Sequence, residues 1–399
     1  MGRLFTLMTG LLLAAALPAA GEEKHDSAWR LFVADHVAPE VRAMDAETGE
    51  VVAAFTLTAP ARLYASESRR TIIAVQRDAD LVNIIATGIE LDDHGDHADL
   101  KIADPRLLET VIRGNKPVHL VTHGGRIAAF FDGEGVARLG PEAALHDGDA
   151  SVAEVATAAP HHGVVIPMGS HVVVTIPDDN DPSNLPVGVR ILDTNGARAG
   201  EDAACPGLHG EAASGNLVAI ACETGILIVK QAAGGPQIRL LPYTAGLPEA
   251  KVSTLRGGRG LQYFLGNFGP SAVVLIDPED ADAFRLIELP VRRVDFAVDP
   301  VRAKFAYVFT EDGRLHQINV LSGTIARSLA VTEPYSMDGH WSDPRPRLAV
   351  AGDEIFVTDP LSGVIHAIDI GRFEKAREIT AGLMPYNIVA VGGSGAAHD

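Results

Sequence analysis

An all-β chain folded as a β-propeller is what the sequence predicts, and three observations predict it. Short β-branched runs alternate with Gly, Asp and Asn turns about every 8 to 12 residues. Similar units recur at roughly 40 to 50 residues, the length of a four-stranded blade. Forty Gly and 24 Pro among 399 residues are more than a helical protein tolerates. A hydrophobic share of 47% allows a sizeable core and excludes a disordered chain.

The first element is a leader. Arg3 precedes the uncharged stretch Leu11 to Leu17, then the small residues Ala19, Ala20 and Gly21, and acidic Glu22 follows. Residues 1–21 therefore read as a cleaved signal peptide, too short for a membrane span, and no later apolar run of about 18 residues follows. A single propeller domain over 22–395 is expected, exported to the periplasm or secreted. There Cys205 and Cys222 would meet an oxidising compartment and pair as a disulfide, two free thiols being the alternative. Two cysteines cannot build a thiolate zinc knuckle.

The repeats come next. Arg30 to Asp35, Val41 to Asp45 and Thr48 to Val52 match Glu354 to Asp359 and Val364 to Asp369. Ala306 to Thr310, Leu315 to Asn319 and Ser322 to Ile325 follow the same plan with Asn319 in place of Asp. Further copies are Leu217 to Cys222 with Gly225 to Lys230, and Gln262 to Leu265 with Ala272 to Asp277. Innermost strands are expected to start near Arg62, His119, His162, His209, Ser253, Val294, Asp338 and Asn387. That makes eight blades, or seven if one repeat is wrongly split. The last start leaves no chain to finish its blade, and the N-terminal strands lack an inner partner. Joining the two closes the ring and removes both free edges.

The pattern Val/Leu-x-x-x-Asp/Asn-x-x-Ser/Thr-Gly, with Pro385-Tyr386-Asn387 on an inner strand, resembles YVTN-type and haem-d1-type propellers. It does not resemble WD40 repeats, because the two Trp are not followed by Asp. With its leader, acidic His-containing loop and His-bearing inner strands, the whole mature chain resembles the AztD family of periplasmic zinc metallochaperones. That resemblance implies zinc binding and direct hand-over to the solute-binding protein of a zinc ABC importer.

Fifteen His set the chemistry. Pro117-Val-His119, Pro160-His-His162, Gly207-Leu-His209 and Ser336-Met-Asp338 occupy corresponding inner-strand starts, which form a ring at one mouth of the channel. His119, His162 and His209 on consecutive blades would share one volume, and three imidazoles with a carboxylate or water suit tetrahedral Zn²⁺. Asp338 is a weaker fourth ligand, since its blade lies across the channel. His161, Glu211 and His340 are further candidates for the fourth position or for orienting the rings. Cu²⁺ and Ni²⁺ remain open, because N/O sites match or prefer them.

A second cluster, Asp93, His94, Asp96, His97 and Asp99, falls in the acidic segment 90–105, where a solvated turn is the plain alternative. An EF-hand is excluded, because the sixth and twelfth positions counted from Asp92 are His97 and Ala103. On the family resemblance this segment would be an accessory zinc-capture or hand-over element. His316 and His366, at matching third-strand positions, read as sheet packing, and Arg62 and Arg293 as channel residues.

Thirty-three Lys and Arg against 52 Asp and Glu leave a net charge of −19, which repels nucleic acid and anionic membranes. A monomer is expected. Nucleophile elbows, phosphate loops, His-Glu-x-x-His helices and Cys-x-x-Cys-His are all missing, so no enzyme is expected and covalent haem is excluded. The rival readings are a metal-dependent propeller hydrolase or lactonase, a non-covalent haem binder, and an interaction scaffold with incidental histidines.

Overall fold

The computed structural model describes residues 27–94, 98–382 and 384–394. The stretch 1–21 expected to be a leader, with Asp96 and His97, lies outside the described residues. Among those described, the strands form eight four-stranded sheets, each running from an innermost to an outermost strand. The chain is the eight-bladed β-propeller that its repeats predict.

Innermost strands of blades 1 to 8 are Arg62–Ala65, Pro117–His123, Val165–Met168, Glu211–Ser214, Leu255–Arg256, Arg293–Val298, Leu348–Ala351 and Pro385–Ser394. Blade 8 takes its other three strands from the N-terminal side: Ser27–Asp35, Glu40–Asp45 and Val51–Thr56. Ser27–Asp35 pairs antiparallel with Pro385–Ser394, from Ser27 opposite Ser394 to Asp35 opposite Pro385. That pairing leaves neither strand as an open edge.

Burial explains the sequence pattern. Second and third strands are covered on both faces by neighbouring blades, so Thr71–Gln76 is buried at every position. Outermost strands are covered on one face only, and Thr324–Ala330 alternates exposed and half-buried residues with a period of two. The apolar clusters sit between adjacent blades: Ile365 and Phe356 of blade 7 pack with Leu31 and Met44 of blade 8. Phe32 and Val41 of blade 8 pack in turn with Ile72 and Leu63 of blade 1. Apolar packing thus continues across the seam where the ring closes.

All innermost strands begin at one rim of the channel, here the near rim. There the Leu63 N–H donates to Asn387 Oδ1 at 2.6 Å, joining the starts of blades 1 and 8. At the far rim, Arg69 Nη1 donates to Gly392 O at 2.7 Å, and His123 Nδ1 meets Glu67 Oε1 at 3.1 Å.

Two expectations change in detail. Blade 7 begins at Leu348, ten residues after Asp338, because 331–347 is a long connection without a strand. The buried Arg345 organises that connection, donating to the carbonyls of Ser336, Asp338 and His340. The acidic segment forms a hairpin, Ile89–Asp93 with Ala98–Ile102, rather than a plain loop. It leaves blade 1 at the far rim, and Leu91 packs so closely on the closing strand that a Cβ at Gly393 would sit 2.4 Å from its Cδ1.

Candidate metal centre

Blades 2, 3 and 4 each bring one imidazole to the near rim. His119 is the third residue of Pro117–His123, while His162 and His209 stand just before Val165–Met168 and Glu211–Ser214. The ring centres lie 4.6 Å apart for His119 and His162, 5.5 Å for His162 and His209, and 6.2 Å for His119 and His209. The three rings and Glu211 line a pocket of about 180 Å³ open at its mouth, with Val164 and Leu208 behind them.

Each δ nitrogen faces an acceptor. His162 Nδ1 donates to Asp132 Oδ2 at 2.7 Å, and His209 Nδ1 donates to the Ser253 carbonyl at 2.9 Å. His119 Nδ1 lies 3.4 Å from Glu211 Oε1. A carboxylate or carbonyl can only accept, so these contacts place the proton on Nδ1 and leave the Nε2 lone pair available. The Nε2 atoms of His119 and His162 then face each other at 2.9 Å. Two lone pairs at that distance repel unless a proton or a cation lies between them.

Among the described residues, no three or more His, Cys, Asp or Glu are placed so that they could hold a metal ion as they stand. For His119 and His162 the adjustment required is small. Tetrahedral zinc with Zn–N of about 2.0–2.1 Å separates two ligand nitrogens by about 3.3 Å, so these rings need part by only about 0.4 Å.

The charges favour a cation. Burial disfavours protonated His119, but Glu211, with Asp132 further off, outweighs it and raises the pKa above 6.5. Burial lowers the pKa of His209, and any charge on His119 or His162 would push the same way. Burial works against ionised Glu211, yet His119, Arg62 and His209 together hold its pKa below the usual value.

The remaining candidates lie apart. His161 is buried and turned away, its Nδ1 donating to Ala159 O and its Nε2 facing Thr175 Oγ1, both at 2.8 Å. Asp338 is 82% exposed and accepts from Arg292 Nη1 at 2.8 Å. His340, on the same connection, is held by Ser342 Oγ at 2.6 Å. In the hairpin, His94 Nε2 lies 3.3 Å from Asp99 Oδ2 and 3.9 Å from Asp92 Oδ2, and Asp93 ends the first strand. Strand direction puts this cluster at the opposite rim. From His119 to His123 alone is about 13 Å of strand.

Cys205 and Cys222 are bonded, with an S–S distance of 2.00 Å and buried side chains. The bridge ties the segment leading to His209 to the end of Leu217–Ala221, whose Ala221 O also accepts the His209 N–H at 3.1 Å. Sequence reasoning missed Asp132 and the Ser253 carbonyl. Asp132 stands in Phe131-Asp-Gly and reads as an ordinary turn residue; a backbone carbonyl carries no side-chain signal.

No family model matches the chain. It is 52% identical over 395 residues to a curated protein of Citrobacter koseri called zinc chaperone AztD, spanning 99% of this chain and 94% of that one. The crystal structure of Citrobacter koseri AztD superposes with a TM-score of 0.91 at 53% identity, covering 93% of this chain and all of that one. The apo structure of the same protein gives 0.89 at 52% identity, over 92% and 99% of the two chains. The dihydro-haem d1 dehydrogenase NirN shares the fold alone, with a TM-score of 0.59 at 14% identity over 90% of this chain and 74% of that one. At that identity and coverage, the chain belongs to the AztD family of zinc chaperones.

Proposed function

We propose that this chain is a periplasmic zinc chaperone which takes Zn²⁺ as cargo at His119, His162 and His209. It would release the ion to the solute-binding protein of a zinc ABC importer. The single observation that carries the reading is the convergence of three imidazoles on one open pocket, each with its δ nitrogen against an acceptor. Such acceptors fix ring orientation and raise ligand basicity. Glu211 would supply the fourth ligand or a balancing charge.

The donor set also suits a carrier. Neutral imidazoles hold zinc without the near-permanence of thiolates, and the open mouth admits a competing ligand. The work consists of binding and exchange with no bond made in a substrate, which matches a relative named a chaperone rather than an enzyme.

The test is metal analysis of untagged protein purified without chelator, followed by competitive zinc titration. About one tightly held zinc per chain is expected. Replacing His119, His162 and His209 together with Ala should abolish it while the far-UV spectrum stays unchanged. Stoichiometric zinc retained by that variant would overturn the assignment.

A further inference from the structure

Exposed apolar side chains gather at the near rim, across the channel mouth from the histidines. The chain holds two Trp. Trp29 packs against the core between blades 7 and 8, whereas Trp341 is 74% exposed. Trp341 lies on the connection 331–347, which ends where the innermost strand of blade 7 begins. Val37 and Leu361, also exposed, stand on the turns between the second and third strands of blades 8 and 7. Asp35 pairs opposite Pro385 and Val357 opposite Leu348, so both turns lie at the rim where innermost strands begin.

Hydrogen bonds join the three segments. His36 Nε2 donates to the Ser342 carbonyl at 2.7 Å, and Val37 and Trp341 each adjoin one of these partners in sequence. Tyr335 Oη accepts the Leu361 N–H at 3.0 Å and donates to Asp359 Oδ1 at 2.5 Å. Trp341 occupies a tight turn, closed by the Asp343 N–H donating to the His340 carbonyl at 3.1 Å. The His340 N–H donates back to Asp343 Oδ2 at 2.8 Å, and the buried Arg345 fastens the same connection at three carbonyls. An indole held out by so braced a turn forfeits burial in the free protein, yet can enter a partner at little ordering cost. Trp is also enriched among the residues that dominate interface energetics.

Charge narrows the occupant. Glu333, Asp338 and Asp343 lie along the same connection, while Arg292 is committed to Glu311 and Asp338, and Arg345 is buried. A symmetric pair of copies would set these carboxylates against themselves, between chains each of net charge −19. That disfavours a second copy and favours a partner with basic groups around an apolar recess. The histidine pocket opens at the same rim, and a protein seated over blades 6 to 8 would face blades 2 to 4 across the mouth.

We propose that the zinc acceptor docks on this face, taking Trp341 into an apolar recess flanked by Lys or Arg. The inference rests on the zinc-carrier reading above, so its test separates docking from zinc binding. Calorimetry measures docking of the purified solute-binding protein to the full chain, both zinc-free and zinc-loaded. The wild type should bind in at least one form, and more weakly as salt is raised. Trp341→Ala should weaken docking about tenfold or more. Leu321→Ala should not, because Leu321 is 73% exposed but sits at the opposite rim. Both variants should keep the wild-type zinc affinity. Docking undiminished in Trp341→Ala would overturn the proposal, as would absence of docking by the wild type in either form. Self-association of the wild type that Trp341→Ala abolishes would overturn it too, by assigning the face to a second copy. Failure of the zinc-carrier reading would show separately, as a wild type that takes up no zinc.

Discussion

The Nε2 atoms of His119 and His162 lie 2.9 Å apart while each ring turns its δ nitrogen toward a carboxylate, Glu211 for one and Asp132 for the other. Two orienting carboxylates and two opposed lone pairs make a gap that would take a proton at low pH and, on the reading proposed above, a metal ion at higher pH. This contact links the orientation of the rings to their electrostatics.

Asp132 should therefore matter although it is no ligand. Asp132→Ala leaves the His162 N–H without its acceptor, and zinc affinity should fall about 10- to 100-fold, as for other residues that orient a metal-binding His. Asp338→Ala provides the contrast: that side chain is 82% exposed and paired with Arg292, so affinity should not change. Competitive titration of both variants decides the point. A loss in Asp338→Ala would restore Asp338 as a ligand, and unchanged affinity in Asp132→Ala would remove Asp132 from the site.

Why one of these residues was legible and the other was not follows from the fold. Repetition announces a propeller, because every blade must present the same alternation to its neighbours. Closure by Ser27–Asp35 was legible because Tyr386 to Ala390 begins a blade that no later chain completes. The histidines stood out because His119, His162 and His209 occupy comparable places in successive repeats. Asp338 seemed to continue that series. It fails because Arg345 holds 331–347 as an irregular connection, through bonds to backbone carbonyls that no side-chain pattern announces. Asp132 reaches His162 only across the boundary between blades 2 and 3, a contact that no local pattern encodes.

The pH dependence of zinc binding has a definite sign. Zinc requires deprotonated Nε2 atoms, so protons compete. His119, with its pKa raised above 6.5 chiefly by Glu211 acting against burial, still holds a proton at pH 6.5. Affinity should therefore begin to fall above pH 6.5 as the pH is lowered. His209, whose pKa burial depresses, adds its own proton only below 6.5 and steepens the later fall. Glu211→Gln removes the main raising influence, so the onset should move to lower pH. Titrations across a pH series measure that onset separately from absolute affinity. An onset unmoved in Glu211→Gln would show that Glu211 does not set it.

The disulfide predicts a change in stability with a local consequence. Cys205 and Cys222 are 17 residues apart in sequence, a loop for which the chain-entropy model gives about 3 kcal/mol. Replacing both with Ser should lower unfolding stability by about that amount in denaturant melts. Zinc affinity should weaken as well, since the bridge braces the segment carrying His209. Thiol counting in denaturant without reductant should find none free in the wild type. A double variant as stable as the parent would mean that blade packing alone holds this segment.

The last prediction concerns transfer, and the hairpin's position bears on it directly. Hand-over from the histidines through the acidic cluster would need His94 and its neighbours within reach of the pocket, but Ile89–Asp93 and Ala98–Ile102 project from the far rim. The acceptor is expected instead at the near rim, where His162 is 32% exposed against 18% for His119. Its ligands must enter the coordination sphere before the last histidine leaves, so the transfer rate should rise with acceptor concentration and exceed release to a small chelator. Removing the hairpin by a short turn between Gly88 and Ala103, already joined by a 2.7 Å backbone hydrogen bond, should preserve the fold. The channel affinity and the transfer rate should both persist in that protein. Loaded wild type and shortened protein are run against the purified solute-binding protein and against the chelator. Equal rates to acceptor and chelator in the wild type would reduce the chaperone to a zinc store. Transfer lost only in the shortened protein would mean that zinc leaves through the far rim, and that the hairpin carries it.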